Sequence, residues 1–214
     1  MRRRAFLRYG ALGLGAVAAT LFAGWWQVDG PGAPDTATGD GRPLPLTAMD
    51  FALTNHEGQP VGPETLIGRA SLVFFGFTWC PQVCPTTLAD ISHWLDGLGT
   101  EAEALDVVLI TVDPERDTVA AIAEYVGYFH PQIRGWTGSA SEIARAAEGF
   151  RVRYEKVPLD GGDYTMNHTA GVFLFDADGA LVSIIDYHEP REFALPKIRR
   201  AMARSAPVPG AETG

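Results

Sequence analysis

Two segments near the middle of the chain are almost continuously apolar, and they predict the centre of a sheet. Residues 71–77 and 106–112 form these runs, which are typical of parallel strands that helices bury on both faces. Two later runs, residues 172–175 and 181–185, flank the sequence Asp-Ala-Asp-Gly, which favours a tight antiparallel turn. A short β segment at residues 51–61 is expected to precede them.

The first central strand is followed by apolar residues at helical spacing. Cys84, Leu88, Ile91 and Leu95 recur at steps of four, three and four, so they share one face of a helix. This helix is predicted to run to about Leu98.

Three further helices are predicted. The pair Asp117-Thr118 can cap the first of them, with Asp117 expected at the N-cap. Ser139 and Glu142 have the spacing of a capping box at the start of the next. A weaker pattern at residues 193–202 predicts the last helix.

The predicted order is a β segment, then strand, helix, strand, two helices, a β hairpin and a final helix. Strands that alternate with helices and end in an antiparallel pair predict an α/β fold with a mixed central sheet flanked by helices. Thioredoxin-like folds have this layout, and that fold is expected here.

The first 28 residues have the composition of an export signal or membrane anchor. Residues 10–26 carry no charge and end in two tryptophans, a residue type enriched at membrane interfaces. We expect an uncleaved anchor at residues 1–28, with the N-terminus in the cytoplasm and the domain outside. The sequence Arg-Arg-Ala-Phe-Leu-Arg at residues 3–8 also resembles a twin-arginine export signal, and a cleaved, released protein is the alternative.

The rest of the chain divides by composition into a linker, one domain and a tail. Residues 29–45 are rich in Gly and Pro, which predicts a flexible linker. Residues 46–204 have the size of one domain, and residues 205–214 are expected to be a flexible tail.

The charge distribution excludes one class of partner. All four charged residues in the anchor segment are arginines, so the sequence that follows it has 13 basic and 26 acidic residues and carries −13, against −9 for the whole chain. Because phosphate neutralisation needs a basic face, a nucleic-acid-binding function is excluded. An acidic domain suits a cationic metal or a basic patch on a partner.

The chain has two cysteines, Cys80 and Cys84, at the junction between the first central strand and the first helix. Open α/β sheets place their chemistry at such junctions, and a helix N-terminus is expected to lower the pKa of the Cys84 thiol. Three intervening residues make the two sulfurs neighbours. They can form a disulfide or bind a soft metal, although two thiolates alone rarely complete a metal site.

A histidine is the natural third ligand, and the five histidines differ in their surroundings. His93 faces away from Cys84 on a regular helix. His56, His130 and His188 are expected to be loop or surface residues. His168 lies just before residues 172–175, so the loop that holds it is expected to face the cysteine helix.

Two thiolates and one imidazole form a soft ligand set suited to Cu(I), and they can hold Cu(II) with an added ligand. Zinc normally takes a fourth protein ligand or an open catalytic position. From spacing alone, a copper site and a structural disulfide both stay open.

Three motifs together closely resemble the Sco/SenC family. They are Phe-Gly-Phe-Thr-Trp-Cys-Pro-Gln-Val-Cys-Pro-Thr at residues 75–86, Thr-Val-Asp-Pro-Glu-Arg-Asp-Thr at residues 111–118, and Asn-His-Thr at residues 167–169. The resemblance implies a membrane-tethered, thioredoxin-like copper protein of the bacterial inner membrane, with its domain in the periplasm. It implies Cys80, Cys84 and His168 as copper ligands, and the copper-bearing subunit of cytochrome c oxidase as partner.

Two positions depart from the family pattern. Gln82 lies between the cysteines, where the family usually has Asp. Asn167 precedes the histidine, where the family often has Asp. Losing nearby carboxylates is expected to ease thiol ionisation and to alter the preference for Cu(I) or Cu(II), with the ligands unchanged.

The leading functional hypothesis is a copper metallochaperone for the binuclear copper centre of cytochrome c oxidase. The alternatives are a thiol–disulfide reductase that keeps the acceptor's cysteines reduced, and a redox or copper sensor. For residues 113–118, the expected role is a turn and a helix cap; the alternative is that Asp113 or Arg116 supports the site or docks a partner.

Overall fold

A mixed sheet of seven strands forms the centre of the computed structural model, which describes residues 41–204. The spatial order of the sheet is β2-β1-β5-β4-β3-β8-β9, and β6 and β7 form a separate hairpin. The strands are β1 Leu53–Asn55, β2 Pro60–Val61, β3 Ala70–Gly76, β4 Leu105–Thr111, β5 Ile133–Thr137, β6 Tyr154–Pro158, β7 Tyr164–His168, β8 Val172–Phe175 and β9 Leu181–Ile185.

Four α-helices flank this sheet within the same residues. They are α1 Val83–Leu98, α2 Val119–Gly127, α3 Ala140–Gly149 and α4 Arg191–Arg204, with short 3-10 turns at Leu46–Ala48, Pro63–Leu66 and Gly99–Ala104. None of the helices within residues 41–204 is long and apolar enough to cross a membrane. The predicted anchor, most of the linker and the predicted tail lie outside the described residues.

The two apolar runs form the central strands, as predicted. β3 and β4 pair in parallel, and every residue of both strands is buried. β8 pairs antiparallel with β3 and with β9, which confirms the predicted hairpin and its place beside the first central strand. The α/β, thioredoxin-like class is therefore confirmed.

The sequence analysis missed β5 and the β6–β7 hairpin. β5 is only five residues long and includes Arg134 and a glycine, so it lacks a continuous apolar run. β6 and β7 have no buried residue, and a strand pattern without an apolar face is indistinguishable from a polar loop in sequence.

One predicted helix cap was wrong. Thr118, and not Asp117, is the N-cap of α2, where its hydroxyl accepts a hydrogen bond from Ala121 N. The Asp117 carboxylate points away from the helix, into the interior. Ser139 caps α3 as predicted by accepting from Glu142 N.

An aromatic cluster fills the space between the sheet and α3. Phe150, just after α3, is fully buried. The ring centroids of four phenylalanines lie 5.1 to 6.2 Å from its own: Phe51, Phe75, Phe173 and Phe175. Because Phe75 is on β3, this cluster supports the strand that leads into the cysteine loop.

Candidate metal centre

Cys80 and Cys84 lie where β3 ends and α1 begins. Cys84 is completely buried in the first turn of α1, whereas Cys80 is half-buried in the preceding loop. The last residue of β3 is Gly76, and a larger residue there would force its neighbours to shift, because a Cβ would lie 3.0 Å from Cys84 Sγ and 2.9 Å from the Phe74 ring. The strand end therefore allows the backbone to approach the buried sulfur closely.

The helix N-terminus stabilises a thiolate on Cys80. The Cys84 N–H donates to Cys80 Sγ over 3.3 Å. Hydrogen bonds from the Cys84 thiol and from that N–H outweigh partial burial and lower the pKa of Cys80 to about 4. The pKa of Cys84 is raised, because its proton is shared with Cys80 and its sulfur is buried. The lowered pKa was predicted for Cys84, and the structure places it on Cys80.

His168 is the last residue of β7, and its ring faces the two sulfurs. Nε2 lies 3.5 Å from Cys84 Sγ. Nδ1 lies 2.9 Å from the carbonyl oxygen of Thr169, which can only accept, so the proton of a neutral imidazole belongs on Nδ1. The lone pair of Nε2 then points at the cysteines. The sequence analysis placed His168 in a loop; it ends a strand instead.

The three side chains form a compact donor set. The two Sγ atoms and the Nε2 atom all lie within 4.8 Å of one another, and no other such group of three or more occurs in the described part of the chain. The rings of Phe74 and Phe77 stand edge-on to His168, at centroid distances of 6.2 and 5.9 Å. These two buried rings form an apolar wall beside the imidazole.

The Asp117 carboxylate holds the loop that presents Cys80. It accepts hydrogen bonds from Thr78 N at 3.1 Å and from the hydroxyls of Thr78 and Thr111 at 2.5 Å. Burial raises the pKa of Asp117 despite these three donors. The sequence analysis missed this role, because Asp117 is far in sequence from Thr78.

The other histidines lie outside the donor set. His93 is exposed on α1, as the helical spacing predicted. Of the remaining three, His56 accepts from Gly135 N, His130 lies 4.0 Å from Asp96, and His188 is hydrogen-bonded to Asp90. The donor set is thus specific to the predicted triad.

The lowered pKa of Cys80 predicts unusual reactivity in the reduced, copper-free protein. Since the thiolate reacts with iodoacetamide, alkylation of Cys80 should stay constant between pH 7 and pH 5 and fall only near pH 4. In the urea-unfolded chain both thiols should regain a pKa of about 8.5, and the rate of alkylation of each should fall tenfold for each unit by which the pH is lowered. Mass spectrometry of the alkylated peptides measures both. A tenfold fall per unit at Cys80 in the folded protein would contradict the lowered pKa.

Two thiols and an imidazole beside the central strand of this thioredoxin-like domain form a donor set that suits a soft metal. The SCO1/SenC family model matches residues 40–203 of the sequence. The chain therefore belongs to the SCO1/SenC family, which confirms the resemblance found in its motifs.

Individual relatives agree with this membership. The mouse protein SCO2 homolog, mitochondrial, is 38% identical over 157 residues, which cover 72% of this chain and 62% of the mouse protein. The human protein SCO1 homolog, mitochondrial, is 38% identical over 146 residues, or 67% of this chain and 48% of the relative. The match thus spans less than two thirds of the length of these relatives.

Two solved structures with bound copper have the same fold. ScoI of Bradyrhizobium japonicum with copper bound is 42% identical, with a TM-score of 0.67 over 71% of this chain and 96% of that one. ScoI of Arabidopsis thaliana with copper bound is 31% identical, with a TM-score of 0.68 over 72% of this chain and 96% of that one.

The structure gives a reason for one of the two departures from the family pattern. Asn167 pairs with Glu155 across the β6–β7 hairpin, and its side-chain amide donates to the Glu155 carboxylate at 3.1 Å. An Asp at this position would instead set two like charges opposite each other, which destabilises a strand pair. Gln82 is the N-cap of α1, and its side chain makes no capping hydrogen bond.

Proposed function

We propose that the protein is a copper metallochaperone that binds one copper ion through Cys80, Cys84 and His168. The observation that supports this most strongly is the donor set itself: two sulfurs and an imidazole nitrogen within 4.8 Å, with the nitrogen lone pair facing the sulfurs. Soft thiolates with an imidazole suit Cu(I). Membership of the SCO1/SenC family and the two copper-bound relatives support the same metal.

The unequal burial of the two cysteines suggests how the cargo leaves. Cys84 is fully enclosed, whereas Cys80 is half-buried beside Trp79, whose side chain is 65% exposed. An incoming ligand from an acceptor would therefore reach the metal on the Cys80 side. Transfer by stepwise ligand exchange breaks no covalent bond of a substrate, and the buried Cys84 holds the ion until the acceptor's ligands have engaged.

The family and the N-terminal sequence support a proposal for the acceptor of the copper ion and for the cellular location of the protein. We propose the copper-bearing subunit of cytochrome c oxidase as acceptor, with its binuclear copper centre as destination. We propose further that residues 1–28 anchor the chain in the bacterial inner membrane with the domain in the periplasm. Because neighbouring thiols tend to oxidise there, a thiol reductant must keep the cysteine pair ready for copper.

One observation also favours a second candidate, a thiol–disulfide reductase. Cys80 carries a lowered pKa and is accessible, while Cys84 is buried beside it. The Cys80 thiolate would attack a substrate disulfide and release one thiolate. Cys84 would then lose its proton and attack the mixed disulfide, which releases the second thiol and leaves a Cys80–Cys84 disulfide. A thiol reductant would restore the pair.

Substitution of His168 separates these two functions. The reduced full-length chain should bind one Cu(I) under a competing chelator, and His168→Ala should weaken binding at least about tenfold, the loss that even an outer-shell partner causes. His93→Ala, on the exposed face of α1, is the matched control and should bind as wild type. Disulfide reduction, assayed in parallel, should be slow.

The opposite pattern would reject the metallochaperone. If His168→Ala left the copper affinity unchanged while wild-type protein reduced disulfides rapidly, the imidazole would have no part in metal binding. The reductase would then be the better description.

A further inference from the structure

His168 is carried by an element with little support of its own. Within residues 41–204, β6 and β7 pair only with each other, and none of their residues is buried. An isolated two-stranded hairpin is marginally stable in water. The position of the imidazole over the cysteines therefore depends on whatever fixes the β6–β7 hairpin to the rest of the domain.

Besides Tyr154 and Met166, which pack against the core, the hairpin is attached through a group of three side chains, which we call the Arg116 cluster: Asp113, Arg116 and Tyr164. The Arg116 guanidinium lies 3.7 Å from the centroid of the Tyr164 ring, and its Nη1 donates to the Tyr164 carbonyl oxygen at 3.0 Å. Its Nε pairs with Asp113, and the Tyr164 hydroxyl donates to the same carboxylate at 2.8 Å. The backbone and the side chain of Tyr164 both contact the loop after β4.

Charges around the cluster strengthen these contacts. The Arg116 side chain is only 17% exposed, so its hydrogen bonds are partly shielded from water. Desolvation and the bond to Asp113 raise the pKa of Tyr164 to about 12, which keeps the phenol a donor. Lys156 of β6 lies 3.8 Å from the same ring and pairs with Glu115 at 2.7 Å.

The Arg116 cluster also connects to the loop that presents Cys80. Asp113 N donates to the Thr111 hydroxyl at 2.9 Å, and that hydroxyl donates to Asp117 at 2.5 Å. Asp117 in turn accepts from Thr78 N, two residues before Cys80. One continuous hydrogen-bond network therefore joins the thiolate loop to the hairpin that carries the imidazole.

We propose that Arg116 is a positioning residue for copper binding, which fixes the β6–β7 hairpin so that His168 Nε2 stays over the two cysteines. Tyr164 is near the turn of the hairpin, and His168 is at the other end of β7. Without the contacts at Tyr164, β7 loses its fixed position against the loop after β4, so the imidazole at its end is no longer held over the sulfurs. This inference rests on the proposed copper-binding function.

Copper affinity tests the proposal through a double-mutant cycle in the full-length, reduced chain. Arg116→Ala should weaken Cu(I) binding by about 10- to 100-fold, the range for outer-shell partners of metal ligands. Arg116→Lys should weaken it nearly as much, because lysine keeps the charge but lacks the planar fork and stacking face.

In a His168→Ala background, Arg116→Ala should cause no further loss of copper affinity, because its effect acts through the imidazole. Arg199→Ala, which removes an exposed arginine of α4 that pairs with Glu101, is the matched control.

A copper-free readout accompanies the titration. Amide hydrogen exchange at residues 154–168 should be faster in Arg116→Ala than in wild type and in Arg199→Ala, with α1 unchanged. Wild-type affinity in Arg116→Ala, or losses that add fully to those of His168→Ala, would overturn the positioning role. A wild-type chain that binds no copper, or that is insensitive to His168→Ala, would instead overturn the proposed function.

Discussion

Replacing either cysteine by serine is expected to abolish copper binding at the concentrations where wild type is saturated. The loss should exceed the roughly 10- to 100-fold cost of an outer-shell change, because a soft donor of the metal itself is removed. A serine hydroxyl is a hard donor that stays protonated near neutral pH, and Cu(I) prefers thiolates. Two of the three donors that lie within 4.8 Å of one another would remain, too few to hold the ion against a chelator.

The two serine variants should differ in stability even though both lose copper. Cys84 is completely buried, so Cys84→Ser places a hydroxyl in an apolar site at a cost of about 1–3 kcal/mol. Cys80 is half-buried, so Cys80→Ser buries no unpaired hydroxyl but loses the thiolate that the Cys84 thiol and N–H stabilise, a contribution to the unfolding free energy that is present near neutral pH and is lost as the pH falls towards 4. Chelator competition and urea unfolding of the copper-free proteins measure the two effects separately. A serine variant that held copper like wild type would remove that cysteine from the ligand set.

The fold could be predicted wherever burial leaves a pattern in the sequence. β3 and β4 are buried along their whole length, so their apolar runs identified them, and the face of α1 was evident from its spacing. The β6–β7 hairpin has no buried face, and its position is determined by contacts such as that of Arg116 with Tyr164. These contacts join residues far apart in the chain, and a periodicity argument cannot detect them.

The candidate site was predictable in its members but not in its electrostatics. Cys80, Cys84 and His168 were recognised from motifs and residue types. Which cysteine carries the thiolate depends on which sulfur accepts hydrogen bonds, and the Cys84 thiol and N–H both donate to Cys80 Sγ. The role of Asp117 was mistaken for the same reason: a helix cap is a local property, whereas its actual partner Thr78 lies on the cysteine loop.

The site also depends on a core that contributes nothing to its chemistry. Phe75 precedes Gly76 at the end of β3, and its ring lies 5.1 Å from that of Phe150. The aromatic cluster therefore backs the strand that brings the chain to Cys80 and Cys84. Losing that support should reduce the stability of the whole domain before it changes any donor atom.

Phe150→Ala is accordingly expected to cost about 3–5 kcal/mol of unfolding free energy. Phe150 is fully buried, and its removal would leave a cavity among four phenylalanine rings that the rigid sheet cannot close. Against a typical total of about 5–15 kcal/mol, this is a large fraction, and the urea midpoint of the copper-free protein should fall in proportion. The matched control is Phe193→Ala on α4, where the side chain is 61% exposed and the expected change is within about 0.5 kcal/mol. Equal midpoints for the two variants would mean that the aromatic cluster does not stabilise the domain, because both substitutions remove the same atoms and differ only in burial.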